Sequence, residues 1–269
     1  MNPNRRALLL APLGFAAPAR AAPQAVPWER WRRHAAGSSA RVDHDAWDAF
    51  LARHRVVGQD GIARLRYADA LQDRAPLRAY LATLQATNPD TLGRAEQFAF
   101  WANLYNALTV DVVLENWPVA SIREIRSGLF TPGPWGRKLA TVANEALSLD
   151  DIEHRILRPL WQDARVHYAV NCASLGCPDL PARAFRAATL DTDLNQAARA
   201  FVNHQRGARI EAGRLQVSSI YRWFIADFGG NDAGVIAHLR QHAAPQLAQQ
   251  LEGRNKLDRD SYDWAINAA

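Results

Sequence analysis

Several residue types and motifs are scarce in this sequence. Its 269 residues include two cysteines, and only Lys138 and Lys256 among the 32 basic side chains are lysine. The arginines are scattered among acidic residues rather than gathered in a basic run with interleaved aromatics, so nucleic-acid binding is not expected. The sequence also lacks G-x-x-x-x-G-K-[ST], G-x-G-x-x-G, H-E-x-x-H and G-x-S-x-G. The commonest nucleotide-binding, zinc-protease and α/β-hydrolase signatures are therefore absent, and no cofactor is predicted.

The first 21 residues resemble an export signal. Arg5-Arg6 precedes an apolar stretch over residues 7–19, and Ala19-Arg20-Ala21 is a small-x-small cleavage site. The stretch contains two prolines and is shorter than the roughly 20 residues that cross a bilayer, so we expect no stable membrane span after cleavage. Cleavage would remove three arginines and no acid, which lowers the formal charge from +5 to +2. We expect a periplasmic or secreted protein, and the arginine pair leaves both Sec and twin-arginine export open.

The remaining sequence predicts a short tether over residues 22–42 and one α+β domain over residues 43–269. The domain is expected to be helix-rich, with a small mixed sheet. A long apolar helix over residues 94–114 is its predicted centre, because a helix of this kind is normally buried. The other predicted helices cover residues 43–54, 75–86, 152–161, 189–203 and 235–251, a predicted strand covers residues 165–171, and predicted hairpins cover residues 138–149 and 209–218.

Five segments of the sequence resemble a known family. They are FWANLYNALTVDVVL, LSLDDIEHRILR, RVHYAVNCASLGCPDL, IYRWFIADFGG and YDWAIN, which begin at residues 100, 147, 165, 220 and 262. Taken together, these segments resemble the uncharacterised family called domain of unknown function 547 (DUF547), and the NCASLGCP element is the most specific of them. The resemblance implies an exported bacterial member of that family, but it supplies no mechanism.

Both cysteines lie in the segment HYAVNCASLGCP, which suggests a thiol nucleophile. Attack on an acyl group needs a thiolate, a nearby base and a third group that orients the base. Cys172 is the better candidate, because Pro178 directly after Cys177 removes a backbone N–H that an oxyanion hole could use. The sequence therefore predicts a thiol-dependent hydrolase or acyl transferase with Cys172 as its nucleophile.

The base and the orienting group must come from other parts of the chain. His154 is the first candidate for the base, since an intervening helix and loop could bring it back to Cys172. His167 is the second and requires the predicted strand to bend, because five extended residues would hold it about 16 Å away at roughly 3.3 Å per residue. Asn103 and Asn106, at i and i+3 on the central helix, are candidates for orienting the base or donating to an oxyanion. The asparagines could instead form a structural hydrogen-bond network between helix and loop, and each histidine could also be structural.

Three other roles remain open for the cysteines. In an exported chain they could form a Cys172–Cys177 disulfide, with Gly176 at a positive φ closing the loop, in a non-catalytic binding or scaffolding module. Such a disulfide could also be redox-active, although the C-x₄-C spacing departs from the usual C-x-x-C. The third role is a zinc site formed by both cysteines with His154 and His167.

The sequence does not specify a ligand. Aromatic residues near the C-terminus could line a cleft for a glycan or a peptide, or they could belong to the core; they are Tyr221, Trp223, Phe224, Phe228, Tyr262 and Trp264. The partner is therefore left as a small molecule, a peptide or a glycan, and the oligomeric state is left open.

Overall fold

The computed structural model describes residues 23–126, Gly128 and residues 131–269, so the predicted export signal lies outside the described residues. Helices predominate over strands in the described residues, and the strands form small sheets, which confirms the predicted α+β class. No helix in these residues combines the length and the apolar character needed to cross a membrane. The α-helices are α1 (Asp45–His54), α2 (Tyr67–Ala70), α3 (Arg74–Ala86), α4 (Arg94–Asn116), α5 (Arg158–Trp161), α6 (Val166–Ala169), α7 (Leu190–Val202), α8 (Ile220–Trp223), α9 (Asp232–His242) and α10 (Pro245–Gln250).

The long helix α4 is the centre of the fold. Of its 23 residues, 18 are buried, and they surround the whole helix rather than one face. This distribution is typical of a helix that other elements enclose on all sides. The helix ends before Trp117-Pro118, because the residue before a proline disfavours the α conformation. The predicted central buried helix is confirmed, and it extends two residues beyond the predicted end.

The strands form three small sheets. The strands are β1 (Arg55–Val57), β2 (Ala63–Leu65), β3 (Ala140–Val142), β4 (Glu145–Leu147), β5 (Ala208–Glu211), β6 (Arg214–Ser218) and β7 (Arg259–Ser261). The pairs β1–β2 and β3–β4 are antiparallel, whereas β5-β6-β7 is mixed, with β6 and β7 parallel. Both residues of the turns Ala143-Asn144 and Ala212-Gly213 have positive φ, as two-residue hairpin turns of type I′ require. The small mixed sheet and both predicted hairpins are confirmed.

Two groups of buried apolar side chains stabilise the fold. The larger surrounds α4, and the smaller lies between the mixed sheet and helices α7 and α9. The segment after α5 passes from one group to the other, since Tyr168 belongs to the smaller group while Ala169 and Ala173 belong to the larger. The cysteine-containing loop therefore begins where the two cores meet.

The predicted strand over residues 165–171 is wrong. Residues Val166–Ala169 form helix α6, and the chain becomes extended only at Val170. Asp163 begins this turn, because its carboxylate accepts from the backbone N–H of Arg165 at 2.9 Å and its backbone carbonyl accepts from the N–H of Val166 at 3.1 Å. Every residue from 166 to 171 is buried, so alternating residue types here did not mark two faces of a strand.

The predicted helix over residues 235–251 is also corrected, because it is divided into α9 and α10. Pro245 is the first residue of α10, and Ala244 before it is extended with ψ 158°. A residue that precedes proline is disfavoured in the α region, which explains the break.

Residues 23–42, the described part of the predicted tether over residues 22–42, pack along the domain. The backbone N–H groups of Val26 and Trp28 donate to the carbonyls of His154 and Arg155 at 3.1 and 2.9 Å. Trp31 is buried, and its ring meets that of Trp101 edge to face with the centroids 4.9 Å apart. This segment therefore covers one side of α4 and of the helix that carries His154.

Candidate thiol site

The two cysteines lie in the loop that follows α6, residues 170–178, here called the Cys172 loop. Asn106 on α4 fastens the beginning of this loop. Its side-chain amide donates to the carbonyl of Ala169 at 2.9 Å, and its side-chain carbonyl accepts from the backbone N–H of Asn171 at 2.8 Å. These contacts match the structural network that the sequence left open, and they fix the loop against the central helix.

Asn171 connects the two ends of the Cys172 loop. Its side chain accepts from the backbone N–H of Ala173 at 2.8 Å and donates to the carbonyl of Pro178 at 2.7 Å. Ala173 has φ 58°, a left-handed conformation that an alanine adopts only when its surroundings impose it. The asparagine therefore holds the backbone on both sides of the cysteines.

The C-terminal segment lies against the loop and forms one wall of the site. The N–H groups of Leu175 and Gly176 donate to the carbonyls of Ala265 and Asp263, each at 2.8 Å. A Cβ atom at Gly176 would come within 2.7 Å of the backbone nitrogen of Asp263. Glycine is thus required here for close approach of two backbones rather than for the predicted positive φ, which occurs at Ala173 instead.

The sulfur atoms of Cys172 and Cys177 are 3.1 Å apart, and both cysteines are free thiols. The disulfide that the sequence left open is not formed in this structure, since a disulfide bond is about 2.05 Å long. Cys172 is partly exposed, and its sulfur also contacts the hydroxyls of Ser174 at 3.2 Å and Tyr262 at 3.0 Å. The two hydroxyls are also 2.7 Å from each other, so the sulfur of Cys172 lies among three groups that can each carry a proton, Ser174, Tyr262 and Cys177.

The pKa values of the two thiols are shifted in opposite directions. Hydrogen bonding from Cys177, assisted by Ser174 and Tyr262, lowers the pKa of Cys172 despite its burial. Burial raises the pKa of Cys177, and the neighbouring Cys172 raises it further. Burial and the adjacent thiols also raise the pKa of Tyr262, so its hydroxyl remains a donor at pH values where Cys172 ionises. The site therefore favours a thiolate at Cys172 and a thiol at Cys177.

Neither candidate base makes a hydrogen bond with Cys172 in the described residues. The Nδ1 atom of His154 accepts from the guanidinium of Arg158 at 3.0 Å. The Nε2 atom of His167 lies 2.7 Å from the carboxylate of Asp227. The two imidazoles thus belong to a separate group of polar residues, and their assignment as the base for Cys172 stays a prediction that this geometry does not support.

That group, here called the Asp227 cluster, consists of Glu153, His154, Arg158, His167 and Asp227. A π-helix over Asp151–Leu157 continues into α5 and positions the first three of them. Arg158 donates to the carboxylate of Asp227 at 2.6 Å, and Glu153 lies 3.8 Å from Nδ1 of His167. The ring of Phe224 stacks on His167 with the centroids 4.3 Å apart. Four of the five residues are buried, and Asp227 alone is appreciably exposed.

Burial and ion pairing determine which residues of the Asp227 cluster are charged. Burial raises the pKa of Glu153 and lowers that of His167. Burial also acts to raise the pKa of Asp227, but hydrogen bonds from His167 and Arg158 outweigh it and lower the pKa to about 2. Asp227 is therefore ionised, and the Arg158 guanidinium is its principal positive partner.

Asn103, the remaining candidate from the sequence, lies at a different place on α4. Its side chain exchanges hydrogen bonds with the backbone N–H and carbonyl of Phe185 at 3.0 and 2.9 Å and donates to Nε2 of His44 at 3.2 Å. Asn103 therefore fastens Phe185 to α4, which matches the structural role that the sequence analysis gave as an alternative for the two asparagines. Of the two, Asn106 is the one that contacts the Cys172 loop.

Residues 89–202 match the family model described as "Protein of unknown function, DUF547". The matched segment belongs to the DUF547 family. This confirms the family that the sequence predicted. No curated protein and no solved structure was found to match the chain.

The DUF547 segment contains all five residues that the sequence predicted for the site: Asn103, Asn106, His154, His167 and Cys172. Tyr262 and Asp227 lie outside it, although they contact Cys172 and His167 directly. The zinc alternative is not supported, because no group of three or more histidine, cysteine or acidic residues in the described chain is arranged to hold a metal ion.

Sequence reasoning did not place at the site three groups that touch the candidate residues: Ser174, Asp227 and Tyr262, the last of which it named only as an aromatic residue of a cleft or of the core. A signal existed for each, because all three lie in segments that carried the family resemblance. Nothing in the spacing indicated their partners, since Tyr262 is 90 residues from Cys172 and Asp227 is 60 residues from His167.

Proposed function

We propose that this DUF547 protein acts through its two cysteines as a thiol–disulfide exchange centre. The observation that carries the proposal is the 3.1 Å separation of the Cys172 and Cys177 sulfurs. Cys172 is partly exposed and has a lowered pKa, whereas Cys177 is buried and has a raised pKa. An attacking thiolate needs accessibility and ionisation, and a resolving thiol needs proximity to it.

The proposed reaction proceeds in two steps. The Cys172 thiolate attacks one sulfur of a substrate disulfide, forms a mixed disulfide with it and releases the other sulfur as a thiolate, which takes up a proton. Cys177 then loses its proton and attacks Cys172, which forms the Cys172–Cys177 bond and releases the second substrate thiolate. The substrate is reduced by two electrons and the protein is oxidised by two, so the charges and atoms balance.

The acyl-transfer function predicted from the sequence is the second candidate. One observation favours it, because hydrogen bonds at Cys172 lower its pKa and could produce a thiolate without a histidine. Its weakness is the absence of an imidazole hydrogen bond to Cys172 in the described residues, since the leaving group also needs a proton donor.

A chromogenic disulfide, 5,5′-dithiobis(2-nitrobenzoate), distinguishes the two candidates. We expect the reduced protein to release two thionitrobenzoates per chain and to finish as an internal disulfide, because Cys177 resolves the mixed disulfide. Cys177→Ser should release one and retain the other as a stable adduct, visible by mass spectrometry. Cys172→Ser should react far more slowly, because Cys177 is buried.

Arg206 offers a variant for testing whether the loop geometry matters. Its guanidinium donates to the carbonyls of Leu175 and Cys177 at 2.8 and 2.7 Å. Arg206→Lys should therefore slow the second release more than the first. A wild-type protein that keeps a stable mixed disulfide would overturn the exchange function. Hydrolysis of 4-nitrophenyl acetate that requires Cys172 and survives Cys177→Ser would instead favour acyl transfer.

We also propose that the protein is exported, on the basis of the signal-like residues 1–21. Expression of the full chain in a Gram-negative host, followed by fractionation and N-terminal sequencing, should find a periplasmic protein that begins at residue 22. Replacement of Arg5 and Arg6 by lysine should block export if the twin-arginine route is used. A full-length chain that stays in the cytosol would contradict export.

A further inference from the structure

Two adjoining cavities lie beside Asp227, and neither is lined by a cysteine. Their volumes are about 560 and 340 Å³, within the range of small-molecule sites, and Gln162, Asp163 and Asp227 line both of them. We call the combined depression the Asp227 groove. Because three residues are shared, the cavities adjoin, and one ligand can occupy both.

Each charged residue that lines this groove already has an ionic partner within the chain, including Arg32, which pairs with Glu29 at 2.6 Å. Arg165 binds Asp163 and Asp191, each at 2.7 Å, and the carboxylate of Asp227 is bound by Arg158 and His167 at 2.6 and 2.7 Å. A charged ligand would have to displace one of these partners or enter without a counter-ion, and both cost free energy. The groove is therefore better suited to a neutral ligand.

The uncharged polar groups of the groove retain hydrogen-bonding capacity. Among the described residues, the side-chain amides of Gln162 and Gln241 make no hydrogen bond within the chain, and neither does the imidazole of His242. Burial lowers the pKa of the neighbouring His238 to about 4, so that imidazole is neutral at pH 7. Amides and neutral imidazoles can both donate and accept, which is what a hydroxyl group also does.

One aromatic side chain gives the groove a rigid wall. Trp161 is held between the Arg94 guanidinium, 4.2 Å from its ring centre, and the ring of Phe98 at 5.4 Å. A fixed aromatic wall reduces the conformational entropy that a ligand must remove on binding.

From these features we infer that the Asp227 groove binds a neutral, polyhydroxylated ligand, an oligosaccharide of about three sugar units. Hydroxyl groups match the amides and imidazoles, and two adjoining cavities of this size have room for a short chain of sugar rings. An extended peptide is a poorer match, because its backbone is recognised most effectively by a strand edge, whereas side chains line this groove. The inference does not depend on the chemistry of the two cysteines.

Calorimetric titration of the purified protein with matched trisaccharides tests this inference. The neutral probes are chitotriose, maltotriose and cellotriose; the charged ones are the de-N-acetylated glucosamine trimer and trigalacturonate; the peptide probe is N-acetyl-trialanine amide. We expect at least one neutral trisaccharide to bind, at least about tenfold more tightly than either charged trimer or the peptide.

Variants locate the binding in the groove. Gln241→Ala removes an exposed amide and should weaken binding of that trisaccharide about three- to tenfold. Gln249→Ala removes an exposed glutamine on α10 that lines neither cavity, and it should leave binding unchanged. The inference is overturned if no neutral trisaccharide binds, if a charged trimer or the peptide binds as tightly, or if the two variants behave alike.

Discussion

Acidification from pH 7.5 to pH 5 is expected to lower the free energy of unfolding by about 6 kcal/mol, about 2 kcal/mol for each of three histidines. Burial lowers the pKa of His44, of His154 and of His238 from 6.5 to about 4. Above pH 6.5 all three histidines are neutral in the folded and the unfolded protein, so their stabilising contribution is complete. As the pH falls from 6.5 towards 4, only the unfolded protein takes up these protons, and the contribution is lost.

The surroundings of His44 explain why it resists protonation. Asn103 donates to its Nε2 atom at 3.2 Å, so that nitrogen must act as an acceptor. Its Nδ1 atom lies 2.7 Å from the hydroxyl of Tyr80, and nearby Arg186 also disfavours a positive charge. Asp43, Asp45 and Asp48 act in the opposite direction, but burial outweighs them.

His154 is held neutral by its burial and by a neighbouring cation. Arg158 donates to its Nδ1 atom at 3.0 Å, and a proton on that nitrogen would face the guanidinium directly. Burial is the larger cause of the lowered pKa, and Arg158 adds to it, whereas Asp150 and Asp227 partly oppose both. Glu153 offsets part of this loss of stability. Burial raises its pKa, so as the pH falls the folded protein takes up this proton before the unfolded protein does, and the folded state is stabilised.

Urea unfolding between pH 5 and 7.5 measures this dependence, and His44→Gln separates the contribution of His44. The variant should be less stable at pH 7.5 but should lose only about two thirds as much stability on acidification, because His154 and His238 remain. His34→Gln changes an exposed histidine and is the matched control, which should keep the wild-type slope. An unchanged slope in His44→Gln would contradict the prediction.

The elements that the sequence predicted correctly are those with local causes. Helix α3 follows from Leu77, Tyr80, Leu81 and Leu84 at helical spacing, all of them buried. The β3–β4 hairpin follows from its two-residue turn. The segment 165–171 failed because burial on every side removed the periodicity that distinguishes a helix from a strand. Prediction from the sequence was thus accurate where one face of an element is solvated or, as for α4, where the apolar segment is too long for a strand.

The candidate site could be predicted only in part. The sequence identified Cys172 and the asparagines, and Asn106 does fix the Cys172 loop. It also placed the histidines at this sulfur, whereas folding placed them beside Arg158 and Asp227. Tyr262 reaches Cys172 because the C-terminal segment pairs its backbone with the loop, and such pairing over 90 residues leaves no periodic signal in the sequence.

Replacement of Arg158 by alanine is expected to destabilise the protein by about 3 kcal/mol, because it leaves the carboxylate of Asp227, which is 20% exposed, without its principal positive partner. Arg158 is only 6% exposed, and it donates to Asp227, to the carbonyl of Pro23 at 2.7 Å and to His154. Its guanidinium also lies over the ring of Phe224, 4.6 Å from the centre. The variant therefore removes packing as well as charge.

Arg155→Ala is the matched control for this prediction, since Arg155 lies on the same helical segment and its side chain is 43% exposed in its ion pair with Asp151. Its loss should cost less than about 1 kcal/mol. Adding Asp227→Asn to Arg158→Ala should recover about 1 kcal/mol or more, because the unpaired charge is then removed. Arg158→Ala should also weaken the acid dependence described above, since His154 loses the cation that opposes its protonation. Urea unfolding of the wild type, the two single arginine variants and the double variant tests this prediction. Equal losses of unfolding free energy in Arg158→Ala and Arg155→Ala, or no recovery in the double variant, would mean that charge pairing at Asp227 does not stabilise this cluster.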